Sequence, residues 1–211
     1  IKDETSNEFT LSFEIVNAKN ATSAASATAN NVVLLNNVGF SSASVGNGYT
    51  LFGNGFTMTA TSEAYADSFG DYFLSLNNGT LDNVRIEVPF FAYSFLYQSQ
   101  AYNESAVAGP HDGTYYNFRS AVYMTGNSKI LNSYISGGRT AVCAPSGSPV
   151  MENTTLYGGA TANLHVGNAK TLTLKNMTLV QKPIEGSVNG ASAKTVMGFS
   201  VLFECATDGS T

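Results

Sequence analysis

A short pattern recurs along this chain: an apolar residue, an asparagine two places on, and a second apolar residue three places after the asparagine. A fixed repeat of this kind is the signature of a stacked, solenoidal architecture and constrains the fold more than any other feature of the chain. The five copies span residues 35–40, 81–86, 130–135, 151–156 and 174–179. Their asparagines are Asn37, Asn83, Asn132, Asn153 and Asn176.

The spacing of these asparagines predicts the length of one turn of the solenoid. The steps are 46, 49, 21 and 23 residues. We interpret the last two as single steps and the first two as double steps, each hiding a less regular turn, which gives a period of roughly 20–25 residues. Apolar residues alternate with polar ones at Leu172 and Leu174, and again at Met177 and Leu179. This alternation is typical of strands rather than helices, so the chain is predicted to be all-β.

Equivalent asparagines in successive turns are expected to stack about 4.8 Å apart, which is the spacing of neighbouring strands. Each side-chain amide would then donate to one neighbour and accept from the other. The flanking apolar residues favour an internal ladder. The alternative is that these asparagines are ordinary surface turn residues, since asparagine is common in turns.

Two further segments carry a resemblance to a known superfamily. They are residues 48–58, with the sequence GYTLFGNGFTM, and residues 78–86, with the sequence NGTLDNVRI. Together with the repeat, they resemble the right-handed parallel β-helix superfamily of pectate-lyase-like proteins over residues 30 to 180, with a break near 90–120. The resemblance implies a right-handed parallel β-helix, but this superfold hosts lyases, hydrolases, adhesins and stalks, so it indicates no single function.

The length of 211 residues suits one domain. We expect an N-terminal cap and lead-in over 1–31, repeat turns over 32–180 and a C-terminal cap over 181–211. At about 22 residues per turn, the chain would form roughly seven or eight turns.

Composition excludes several function classes. Charged residues make up 12% of the chain, the net charge is −5, and no basic stripe is present, so nucleic-acid binding is not expected. A membrane-spanning helix needs an apolar run of about 18 residues, and every apolar run in this sequence is far shorter. No phosphate loop, dinucleotide fingerprint or zinc motif is present, so we predict neither a cofactor nor a metal site. Cys143 and Cys205 do not have metal-binding spacing and are interpreted as buried residues, with a disulfide between them left open.

The repeat is interrupted by an aromatic-rich excursion near residues 89–120. Long loops on a rigid scaffold often carry function. Tyrosine rings can stack on the apolar faces of sugars while their hydroxyls form hydrogen bonds, although the same rings could simply pack against the solenoid. The substrate-binding candidates are Tyr93, Tyr97, Tyr102, Tyr115 and Tyr116.

Candidate catalytic groups lie around this excursion. Arg139 follows a predicted strand, Arg119 ends the excursion, and His111 and Asp112 occupy a turn within it. With Lys170 as a substrate-binding residue, they could face one groove. In the lyases that the chain resembles, an arginine or lysine abstracts a proton beside a carboxylate of an acidic polysaccharide. A surface turn residue is the alternative for Arg139. His165 is expected to be exposed or locally bonded.

The leading hypothesis is an extracellular or cell-surface β-helix domain that contacts polysaccharide and is related to the polysaccharide lyases. The alternative is a non-enzymatic surface adhesin or stalk. Ice binding would need threonine at one position in successive turns, and the Thr-x-Thr patterns at 57–59 and 171–173 are too sparse for it.

Overall fold

The computed structural model describes β-strands and the turns that join them. The described residues are 18–21, 26–40, 42–60, 72–88, 120–138, 140–158, 162–169, 171–181, 184–188, 191–196 and 199–203. Every regular element within these ranges is a strand, 21 in all. The prediction of an all-β chain is therefore confirmed. No helix in this part of the chain has the length and apolar character that crossing a membrane requires.

The strands, numbered in chain order, form three parallel sheets. The first sheet holds β1 (Ala18–Ala21), β2 (Asn31–Leu34), β5 (Thr50–Phe52), β8 (Thr80–Asp82), β11 (Lys129–Leu131), β14 (Val150–Glu152) and β17 (Thr173–Lys175). The second holds β3 (Val38–Phe40), β6 (Thr57–Ala60), β9 (Arg85–Glu87), β12 (Tyr134–Ser136), β15 (Thr155–Tyr157) and β18 (Thr178–Val180). The third holds β4 (Ala43–Gly46), β7 (Tyr72–Asn77), β10 (Ser120–Thr125), β13 (Thr140–Gly147), β16 (Ala162–Ala169) and β21 (Phe199–Phe203).

The chain passes through the three sheets in turn and each pass is one coil. Six complete coils run from β2–β3–β4 to β17–β18–β21, and β1 belongs to a coil before them. The fold is a right-handed parallel β-helix, as the sequence predicted. An antiparallel hairpin, β19 (Ile184–Val188) with β20 (Ala191–Val196), lies in the connection between β18 and β21.

The register corrects one part of the sequence interpretation. Leu81 of β8 pairs directly with Ile130 of β11, so the step from Asn83 to Asn132 is one coil and not two. Its 49 residues include the connection from β9 to β10, which contains residues 89–119 of the predicted excursion, while Ser120 begins β10. The step from Asn37 to Asn83 does span two coils, because β5 and β6 lie between.

The core is built from inward-facing apolar columns that run along the solenoid axis. One column of the first sheet contains Val32, Leu51, Leu81, Ile130 and Met151, which are 0–3% exposed. Burying each such side chain stabilises the fold by about 1.5–3 kcal/mol. Leu174 continues the column on β17 but is 40% exposed, because β17 is the last strand of its sheet.

The corners between sheets differ in length. In the last four coils, two residues join the first sheet to the second, whereas β5 and β6 are joined by the four residues 53–56. The long connections, residues 61–71, 88–119 and 181–198, all join the second sheet to the third. Residues 89–119 of the predicted excursion therefore connect the same two sheets as the other two long connections.

Candidate functional site

The turns that join the first sheet to the second in the last four coils form what we call the asparagine corner. It contains Asn83, Asn132, Asn153 and Asn176, with φ values of 52°, 51°, 50° and 48°. This left-handed conformation costs most L-residues about 1–2 kcal/mol, and asparagine is one of the few that adopts it routinely. The four side chains are exposed. The repeat asparagine is therefore selected by the backbone of a tight turn.

The asparagine corner carries a hydrogen-bonded ladder. The Nδ2 of Asn176 donates to Oδ1 of Asn153 at 2.9 Å, and Nδ2 of Asn153 donates to Oδ1 of Asn132 at 3.1 Å. The Nδ2 of Asn132 donates to Oδ1 of Asp82 at 2.8 Å. The prediction of a ladder is confirmed, but its internal location is wrong because the side chains lie on the outer surface.

The residue after each asparagine takes the inward position instead. Ser133 and Thr154 are 5% and 1% exposed, and they form a short internal hydroxyl ladder. The backbone amide of Val84 donates to Oγ of Ser133 at 3.2 Å, and the amide of Ser133 donates to Oγ1 of Thr154 at 3.4 Å. Each hydroxyl in turn donates to a backbone carbonyl, Ser133 to Leu131 and Thr154 to Glu152. These buried polar groups therefore have the partners that their burial requires.

Asn37, the first repeat asparagine, does not continue the ladder. It lies in the three-residue turn between β2 and β3, and its Oδ1 accepts a hydrogen bond from the backbone amide of Thr57 at 2.9 Å. The ladder therefore begins at Asp82, one coil beyond the four-residue turn between β5 and β6.

An open depression of about 710 Å³ lies at this change of turn length. Its lining consists of two apolar side chains and four polar ones, contributed by neighbouring coils: Val33, Phe52, Asn54, Asp82, Asn83 and Asn132. The long turn packs tightly on the next coil at Gly53, where an added Cβ would lie 2.3 Å from the carbonyl oxygen of Asn83. Glycine is thus required there. The long turn is also bonded to the shorter turn that follows, because the backbone amide of Gly55 donates to the carbonyl oxygen of Asn83 at 3.0 Å.

The lining of the depression combines two apolar side chains with amide and carboxylate groups. Val33 and Phe52 point outward from the first sheet and are partly buried. Asn54, Asn83 and Asn132 come from three successive coils, and their amides can both donate and accept. Asp82 is partly buried, and one of its carboxylate oxygens accepts a hydrogen bond from the Asn132 amide. Concave sites with an apolar lining and a few converging polar groups are where ligands bind most often.

The outer face of the second sheet carries a stacked ridge. The guanidinium carbon of Arg85 lies 4.1 Å from the ring centroid of Tyr134, and the Tyr134 and Tyr157 centroids are 6.2 Å apart. The Nε of Arg85 also lies 2.5 Å from Oε1 of Glu87. Because Arg85 and Tyr157 lie on the strands to either side of Tyr134, both faces of the Tyr134 ring are turned toward neighbours. Tyr134 therefore offers its ring edge and hydroxyl to a ligand, not an open ring face.

The outer face of the third sheet places Cys143 beside His165. The Sγ of Cys143 lies 3.7 Å from Nδ1 of His165, so this histidine is locally bonded, as expected from the sequence. Cys143 is present as a thiol and is 9% exposed, in agreement with a buried cysteine. Cys205 lies outside the described residues. Among the described residues, no three His, Cys, Asp or Glu side chains come together as potential metal ligands.

All the site residues proposed from the sequence lie outside the described part of the chain, so their arrangement stays a prediction. The catalytic candidates are Arg139, Arg119, His111 and Asp112, and the substrate-binding candidates are Tyr93, Tyr97, Tyr102, Tyr115, Tyr116 and Lys170. The residues of the depression were missed by sequence reasoning. The available signal was Gly53-Asn54-Gly55, a longer turn in the position of the shorter asparagine turns.

The fold and this site define the class of the protein, a right-handed parallel β-helix with an open depression on its asparagine corner. Comparisons with protein families, with curated proteins and with solved structures give no match in any of the three.

Proposed function

We propose that the protein is an extracellular or cell-surface β-helix domain that binds polysaccharide at the depression on the asparagine corner. The observation that carries this proposal is the pairing of Phe52 and Val33 with converging amide and carboxylate groups in one concavity. The proposal includes kinship with the pectate-lyase-like superfamily, which the repeat suggested, and it assigns no reaction.

A polysaccharide suits this lining because sugars present an apolar face of C–H groups and a rim of hydroxyls. A partly buried aromatic ring such as Phe52 can contact the apolar face. Amides exchange hydrogen bonds with the hydroxyls, and a carboxylate accepts them. The volume of about 710 Å³ lies within the range of small-ligand sites. Its open shape suits a segment of a longer chain that enters and leaves along the surface.

The test is the substitution Phe52→Ala, with binding measured by affinity electrophoresis against a panel of soluble polysaccharides. Loss of the ring contact is expected to weaken binding to the retained polymer about tenfold, since an aromatic contact of about 1.4 kcal/mol corresponds to that factor. Tyr157→Ala is the matched control, because it removes a partly buried outward aromatic ring from the neighbouring sheet. Equal binding by the Phe52→Ala variant and the unaltered protein would show that the polysaccharide does not bind at the depression.

A second candidate, a non-enzymatic adhesin or stalk, is favoured by a different observation. Residues 61–71, 88–119 and 181–198 all connect the second sheet to the third, so the three long connections share one corner of the coil sequence. Loss of a partner on replacing these connections, with no effect of Phe52→Ala, would favour this alternative.

A further inference from the structure

The charge of the depression indicates which class of polysaccharide it takes. We infer that the ligand is a neutral polysaccharide whose hydroxyls form hydrogen bonds with the Asp82 carboxylate and its neighbouring amides. This inference rests on the proposed function and makes it more specific, because the resemblance to lyases pointed to acidic polymers.

Asp82 is the only charged group in the described lining. Its Oδ1 accepts from the Asn132 amide at 2.8 Å, which fixes the orientation of the carboxylate on the ladder. A carboxylate has about four lone-pair sites, so it keeps capacity for donors besides this amide. A sugar hydroxyl is such a donor, and its hydrogen bond to a charged acceptor is stronger than one to a neutral acceptor.

An acidic polymer would bring its own carboxylates close to Asp82 with no compensating cation among the described lining residues. The structure describes the side chains of three cations, Arg85, Lys129 and Lys175, and none of them lines the depression. Arg85 is paired with Glu87, and Nζ of Lys175 lies 2.7 Å from Oε1 of Glu152. Like charges brought together in a partly buried site repel, and the net charge of −5 adds to this repulsion.

The neighbouring coils show that this carboxylate is a feature of the depression rather than of the repeat. Phe52, Asp82, Leu131, Glu152 and Lys175 occupy one outward column of the first sheet. The other acid of this column, Glu152, is bonded to Lys175 on the next strand, whereas Asp82 is bonded by a neutral amide. Asp82 thus contributes a carboxylate that is oriented but not neutralised by a described cation.

The experiment compares neutral polysaccharides, such as β-glucan, mannan and xylan, with polygalacturonate and alginate. Affinity electrophoresis is run at low and at high salt with the unaltered chain, Asp82→Asn, Phe52→Ala and Glu152→Gln. Glu152→Gln removes an equal charge from the same column outside the depression. Thermal unfolding of each variant checks that the fold is retained.

We expect retention on a neutral polymer that is insensitive to salt. It should weaken about five- to tenfold in Asp82→Asn and stay unchanged in Glu152→Gln, since a charged acceptor forms the stronger hydrogen bond. Salt-sensitive retention on an acidic polymer that Phe52→Ala abolishes would overturn the neutral class while leaving the proposed function intact. Unchanged neutral binding in Asp82→Asn would overturn the role of this carboxylate. Binding unaffected by Phe52→Ala would overturn both proposals.

Discussion

At the scale of single residues, the asparagine corner depends on a backbone conformation that few side chains accept. Asn83, Asn132, Asn153 and Asn176 all have φ near 50°, so each coil makes the same tight turn with the same residue type. The amides of Asn132, Asn153 and Asn176 then bond to each other across coils, because the strands hold them one above the next. The left-handed backbone conformation therefore favours asparagine at this turn position, and the ladder forms because successive coils place these asparagines next to each other.

The relative size of these two effects can be measured at Asn132. Asn132→Ala should lower the free energy of unfolding by about 1–2 kcal/mol, because alanine pays the cost of the left-handed region. Asn132→Gly also loses the ladder bonds but escapes that cost, so it should be about 1 kcal/mol more stable than the alanine variant. Urea unfolding measures both. Equal destabilisation by alanine and glycine would mean that the ladder bonds dominate.

At the scale of the strand, the position of a side chain in its inward column sets its contribution to stability. Leu81→Ala should cost about 2–5 kcal/mol, since this fully buried side chain has column neighbours on both sides and its removal leaves a cavity. Leu174→Ala is the matched control at the end of the same column, where the side chain is 40% exposed, and it should cost about 1 kcal/mol or less. Urea unfolding of the two variants provides the comparison, and similar losses would show that the column is not the unit of stability.

The strands are also the scale at which sequence reasoning worked best. Alternation around Leu174 and Leu179 and the repeat of asparagines predicted parallel stacked strands, and the structure has them. The asparagines were placed inside because the pattern does not show which of two adjacent turn residues points inward. Ser133, a small hydroxyl residue directly after Asn132, was the signal for the correct assignment.

At the scale of the whole molecule, residues 89–119 of the excursion are an insertion into a regular coil. Glu87 and Ser120 pair with Ser136 and Thr140 of the next coil, where three residues, 137–139, complete the same corner. Val88 already occupies the first of these positions, so two residues can replace 89–119.

The 49-residue step concealed this, because a count of residues cannot separate one extended coil from two short ones. The depression was equally hidden, since it depends on which turns become neighbours.

Replacing 89–119 with Gly-Ser should therefore give a protein that still folds. The variant is expected to keep the β-sheet circular dichroism spectrum and to unfold in one cooperative transition, because both flanking strands retain their partners. A variant that removes Arg85–Glu87 as well is the control, since it takes away a strand of the second sheet and should not fold cooperatively. Loss of cooperative unfolding in the first variant would show that the excursion is needed to close the coil.

The tight turns of the asparagine corner beside the longer turn at Gly53 have a consequence for how such a chain can diverge. A change of a few residues in turn length at one coil opens a concavity, while every inward column stays in register. Insertions and deletions at this corner could therefore move, enlarge or erase a binding surface along the axis without passing through a misfolded intermediate. The binding surface can then diverge through changes in turn length, while the core residues remain constrained by packing.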